Sequence, residues 1–164
     1  MANKGIQGVI VPAVTPLLDG GGLDRDGLRR LVDRLATAGV HGAMVAGTTG
    51  EAMALSREVR SDLIREAAAA SREAGMVSVA GIGASCLEDI LHFARVASDA
   101  GASFLSLHPP PYFPVAGDAL EGVYRAALER PTCRRCSTPS RPSRATCCPW
   151  TWSSALPRSP ASSA

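Results

Sequence analysis

This sequence predicts an α/β fold in which helices cover a parallel sheet: the N-terminal half of a (β/α)8 (TIM) barrel, followed by an irregular or disordered tail. Three observations carry the prediction. Apolar strand-like runs alternate with amphipathic helical stretches four times within the first 130 residues, the pattern of βα units in series. The first strand runs into Val14-Thr15-Pro16, where a doubly wound sheet usually places a Gly-x-Gly-x-x-Gly phosphate loop. Residues 131–164 then lose the periodicity. A full barrel takes about 250 residues, so four units make half of one.

Each element has a local reason. Residues 6–14 read as a buried strand that stops at Thr15-Pro16, and Asp24 is placed to cap a helix with the apolar stripe Leu28, Leu31, Val32 and Leu35. Gly39 supplies the stop signal. A second strand is expected over 40–46. Ser56 then opens a helix bearing Val59, Leu63, Ile64 and Ala67 that ends at Gly75, and a third strand covers 76–82. Ser85 with Glu88 has the spacing of a capping box for the third helix, whose inward residues are Ile90, Leu91, Ala94 and Ala97 before Gly101. The fourth strand is expected over 102–107. The run Pro109-Pro110-Pro111 excludes a helix there, and Asp118 with Glu121 is placed to cap a last helix reaching about Arg130.

Composition narrows the class. A chain of 164 residues with 46% hydrophobic content can bury one real core. The net charge of +2 offers no large field for nucleic acid, and residues 131–164 hold five arginines and no acid while the first 130 are mildly acidic. No apolar run reaches the roughly 20 residues of a membrane span, and Met1 to Lys4 does not lead into a signal-peptide core, so the cytoplasm is the expected location. Cys86 stands alone before residue 131, whereas Cys133, Cys136, Cys147 and Cys148 crowd the tail with both tryptophans and half of the prolines. The expected division is therefore a barrel-like domain over 1–130 and an aberrant tail over 131–164. Cys133 and Cys136 suggest a metal, but neither the spacing of the second cysteine pair nor any tail histidine completes a zinc site. No metal or cofactor is expected.

Candidate chemistry sits where strands end, because the mouth of such a barrel is built from the loops after its strands. Gly47-Thr48-Thr49-Gly50-Glu51 places two adjacent hydroxyls in a glycine-hinged turn ahead of a helix. Hydroxyls and backbone N–H groups there suit a small anion without a full positive charge. The same residues would also serve as a plain strand-to-helix turn. The turn at Gly81 to Ser85 and the loop bearing Tyr112 are expected at the same mouth. Tyr112, after three prolines, is either a stiffly held phenol for proton transfer or a packed aromatic edge. His41 and His92 read as locally satisfied, and His108 at a strand end is a weaker candidate for chemistry.

With these residues in place, positions 5–130 resemble the N-terminal half of the dihydrodipicolinate synthase and N-acetylneuraminate lyase family of Schiff-base aldolases. The resemblance lies in Val14-Thr15-Pro16, in Gly47 to Glu51 with Leu55, in Gly81-Ile82-Gly83-Ala84, and in Pro110-Pro111-Tyr112. It implies a lyase acting on pyruvate or a related 2-oxo acid through a lysine imine, an electron sink for the enamine that attacks the second substrate. It further implies that Thr48 is a proton-relay hydroxyl, that Thr49 binds the substrate carboxylate, and that Tyr112 is a phenol lent to a neighbouring subunit of a homo-oligomer, dimer or tetramer. The second substrate stays open between aspartate semialdehyde and another aldehyde or sugar acid.

The tail departs from the family pattern. Written with plausible codons, its residues read in a shifted frame as a strand, a tyrosine, a Val-Pro-Ser turn and a helix entry in the family's order, which implies a frame slip near residue 130. As it stands, the chain has Ser137-Thr138 where the family's strand-five tyrosine belongs, and its one lysine is Lys4. The expectation is a truncated, inactive relative of an active parent. Two other readings stay on the table: a non-catalytic scaffold whose basic tail binds RNA or a partner, and a half barrel that dimerises and uses Thr48, Thr49 and Tyr112 without an imine.

Overall fold

The computed structural model describes residues 7–109 and 117–128. The elements alternate as β1 (Ile10–Pro12), α1 (Arg25–Thr37), β2 (Gly42–Val45), α2 (Arg57–Glu73), β3 (Val77–Gly81), α3 (Leu87–Ala100), β4 (Phe104–Ser106) and α4 (Gly117–Leu128). The four strands form one parallel sheet in the order β1-β2-β3-β4. A doubly wound sheet reverses its strand order at a switch point. Here every strand pairs with its chain neighbour, and successive helices pack side by side, α1 on α2, α2 on α3 and α3 on α4. That is the arrangement of consecutive units in a (β/α)8 barrel. The expected tail, 131–164, lies outside the described residues.

Local sequence explains most of the helix boundaries. The Asp24 carboxylate accepts from the Gly27 N–H at 2.8 Å, and the Ser56 hydroxyl accepts from the Val59 N–H at 3.2 Å, each satisfying a donor that the first turn leaves free. Gly101 takes φ 77° after α3, and the Ala102 N–H closes back onto the Ala97 carbonyl at 2.9 Å. The same closure ends α1 and α2, through Val40 to Leu35 and Met76 to Ser71.

The capping box expected at Ser85 and Glu88 does not form. The residue with extended backbone ahead of α3 is Cys86 (φ −129°, ψ 152°), which makes no side-chain cap bond. Ser85 is thus one residue too early and Glu88 lies in the wrong position of the first turn. Glu88 points outward instead, 3.8 Å from Arg57, while the Cys86 thiol donates to Asp89 at 3.3 Å. The last helix spans Gly117–Leu128; the side chains of Asp118 and Glu121, expected to cap it, lie outside the described residues. The strands are also shorter than their apolar runs. Val9 and Val14 lie outside the registered pairs of β1 with β2 and are 57% and 55% exposed.

The core lies between the helices and one face of the sheet. Leu28 and Val32 of α1, Leu63 and Ile64 of α2, and Ile90 and Ala97 of α3 close over Ala43, Val45 and Ala80. Side chains alternate across a strand, so Met44, Val79 and Phe104, which stand in register, lie on the opposite face.

Candidate functional site

The Gly47 to Glu51 turn follows β2 directly and is held under strain. Ala46 and Glu51, which bracket it, are the non-glycine residues with positive φ among those described, at 54° and 52°. Left-handed backbone costs an L-residue roughly 1–2 kcal/mol, and such positions persist where surroundings over-determine them. Those surroundings are visible. The Glu51 and Ala52 N–H groups donate to the Thr48 and Gly47 carbonyls at 3.0 and 3.3 Å. From the end of β1, the Thr15 hydroxyl donates to the Gly50 carbonyl at 2.7 Å. Thr48 and Thr49 are exposed, and their N–H groups have no acceptor among the described residues. A turn held this firmly, with two exposed threonines and two N–H groups unmatched among the described residues, is equipped to take an anion.

Beside it lies a cavity of about 420 Å³ lined by Gly47, Thr48, Glu51, Met53 and His108 among others. Thr48 therefore faces a cavity, whereas Thr49, next along, is not one of its lining residues. His108 arrives from the end of β4. Its Nδ1 lies 2.9 Å from the Pro109 carbonyl oxygen, which can only accept, so Nδ1 carries a proton and Nε2 is left for another partner. The weaker sequence candidate thus joins the threonine turn. Tyr112 lies outside the described residues. His41 and His92 are each hydrogen-bonded within the fold, though to partners distant in the chain: the Val9 N–H donates to His41 Nδ1 at 3.0 Å, and His92 Nε2 meets the Ser61 hydroxyl at 2.9 Å.

The turn after β3 packs tightly against His108 at Gly83, and it is secured by a residue the sequence pattern did not single out. Arg60, in the first turns of α2, is 2% exposed. Its Nη2 donates to the Gly81 and Gly83 carbonyls at 3.0 and 2.8 Å. Its guanidinium carbon sits 4.1 Å over the Phe93 ring, a cation–π contact. Burial pushes its pKa down to about 10, with Asp89 opposing, so the group stays charged at neutral pH. A buried charge costs several kcal/mol unless hydrogen bonds offset it; here carbonyls and an aromatic face do so, with no carboxylate among the described residues bonded to it. Only the arginine's place in an otherwise ordinary helix start, before residues that turn inward, could have hinted at it.

Among the described residues no cluster of three or more potential metal ligands occurs, and no helix is long and apolar enough to cross a membrane.

A consecutively ordered parallel βα array, with a polar strained turn and a histidine at the carboxyl ends of its strands, is the part of a (β/α)8 barrel that builds an active-site mouth. The chain belongs to the dihydrodipicolinate synthetase family, whose model matches residues 5–134. It is 41% identical over 108 residues to 4-hydroxy-tetrahydrodipicolinate synthase of Xanthomonas axonopodis pv. citri, an alignment covering 65% of this chain and 35% of that enzyme. Among solved structures it superposes on dihydrodipicolinate synthase from Aquifex aeolicus with TM-score 0.70 at 25% identity, covering 75% of this chain and 41% of the other. It also superposes on YagE of E. coli K12, a prophage protein of the same family solved in complex with pyruvate, with TM-score 0.69 at 28% identity over 73% and 40% of the two chains. The chain spans 35% to 41% of the length of these relatives. The family is one of lyases, and this chain carries its dihydrodipicolinate-synthase-like portion.

Proposed function

We propose that these residues form the substrate-cradling half of a Schiff-base lyase that takes pyruvate or a related 2-oxo acid. Thr49 binds the carboxylate, Thr48 serves as the relay hydroxyl, and Tyr112 is the phenol lent across a subunit interface of a homo-oligomer. The observation that carries this reading is the Thr48-Thr49 turn: strained, tied down by Thr15, and presenting unmatched N–H groups at the end of β2. Pyruvate in a family member's crystal supports the ligand class. The unit over 1–130 is the family domain, and the tail over 131–164 is frame-shifted sequence in place of the next strand and its tyrosine.

Imine formation needs a neutral amine close to the carbonyl carbon. The single lysine here is Lys4, ahead of β1 in the chain, so this chain by itself binds a 2-oxo acid but does not condense or cleave it. Two measurements test the proposal. Pyruvate raises the melting temperature of the purified chain, and Thr49→Val weakens its binding about ten-fold, the scale of one hydrogen bond to a charged group. Borohydride added with pyruvate leaves no stable adduct away from Lys4. Pyruvate that neither stabilises the chain nor perturbs Thr48 and Thr49 overturns the binding reading; an adduct at another residue overturns the inactivity.

A further inference from the structure

We propose that Arg60 is a positioning residue that sets the shape of the Thr48 cavity by clamping the turn after β3 between the cavity's two walls. The clamp has three parts. Arg60 holds the carbonyls of Gly81 and Gly83 through one nitrogen, Nη2, at 3.0 and 2.8 Å. Those same two residues sit tight against the two segments that carry lining residues of the cavity. A Cβ at Gly81 would collide with the Ala46 carbonyl, the peptide that leads into Gly47 and Thr48, and a Cβ at Gly83 would collide with the His108 ring. Gly47, Thr48 and His108 all line the cavity. The β3 turn is therefore a wedge with no slack on either side, and Arg60 is what holds it from behind.

The chemistry of the side chain fits this role. Two carbonyls two residues apart, with an aromatic face beneath, suit a planar, delocalised guanidinium; an ammonium is a compact, strongly hydrated point charge. Arg60 Nε has no hydrogen-bond partner among the described residues, so the bonding of the side chain is concentrated on Nη2 and the two glycine carbonyls. An arginine serving only to join α2 to the sheet would have no need to meet the two glycines that touch the cavity walls. The ligand arm of the test below rests on the 2-oxo acid reading; the exchange arm does not.

The experiment compares the full chain with Arg60→Met, Arg60→Lys, Phe93→Leu and, as a control for lost stability, Leu28→Ala, which empties a fully buried site in α1. The first readout is amide exchange at Glu51 and Ala52, whose bonds close the Thr48 turn, measured relative to the most protected amides of α2. In Arg60→Met the turn amides exchange at least about ten-fold faster than the change in global stability accounts for. Arg60→Lys recovers only a minor part of that protection, Phe93→Leu loses a smaller part, and Leu28→Ala moves turn and helix together. The second readout is pyruvate affinity, which falls about ten-fold or more in Arg60→Met and is unchanged in Leu28→Ala. Should Arg60→Met fail to fold, Arg60→Lys and Phe93→Leu decide the matter by the exchange readout. Turn protection that merely tracks global stability in the folded Arg60 and Phe93 variants overturns the inference. Wild-type chain that does not bind pyruvate sinks the ligand reading and leaves the exchange result to judge Arg60.

Discussion

Arginine behaves in two ways in this molecule, and the contrast separates its outer shell from its mouth. Between α1 and α2, Arg25 reaches Asp62 at 2.7 Å and also Glu66, while Arg29 reaches Glu66 and Glu73 at 3.4 Å. The two arginines are about half exposed, and exposed pairs contribute roughly 0–1 kcal/mol each. At the carboxyl ends of the strands, Arg60 is buried, bonded to carbonyls, and accompanied by two residues in left-handed backbone. The shell spends little and tolerates change. The mouth concentrates desolvation and strain in a few positions, which is where a site that must keep one shape is expected to store them.

The largest effect that tests this contrast comes from Thr15→Val. It removes the 2.7 Å bond to the Gly50 carbonyl and leaves a partly buried acceptor without its partner, a loss of about 1–2 kcal/mol. Urea denaturation measures it, and a loss no larger than that of removing one shell ion pair would erase the distinction. A smaller effect of opposite sign is expected for Glu51→Gly. Relief of the positive φ outweighs the entropy of an added glycine, for a net gain of about 0.5–1 kcal/mol, visible as a higher melting temperature. A neutral or destabilising result would mean that the turn is not strained at this residue.

The smallest effect belongs to the shell and depends on pH. Burial, followed by Arg57 and Arg95, holds the pKa of His92 below the ordinary 6.5. The folded state therefore binds fewer protons than the unfolded one around that pH. The stabilisation is complete above the unfolded value and is lost as pH falls through the lower, folded one. His92→Gln keeps a polar partner for Ser61 without titrating, so its melting temperature relative to wild type rises between pH 7 and pH 5. A difference that stays constant over this range would remove His92 from the acid sensitivity of the fold.

The readability of the chain follows the same divide. Asp24, Ser56 and Gly101 announced their helix ends because a cap is settled within three or four residues. Ser85 misled for the same reason: a hydroxyl followed at the right spacing by a carboxylate looks like a capping box, yet packing of α3 began the helix one residue later. The strands were overestimated because apolar runs do not report where a neighbour stops pairing. At the site, Thr48 and Thr49 were legible as a motif. The bond from Thr15, the arrival of His108 at the Thr48 cavity and the clamp made by Arg60 were not, since each joins residues more than twenty positions apart.

By itself, the sequence determined the order of four βα units, most of their caps, the family, and the turn that carries the threonines. These are properties of local spacing and local chemistry. Only the tertiary structure decided that strands pair in unbroken order, that Ala46 and Glu51 are strained, and that a buried guanidinium braces the turn after β3 against the walls of the Thr48 cavity. The reason is physical: pairing, strain and desolvation belong to groups brought together by packing, and no single stretch of chain contains them.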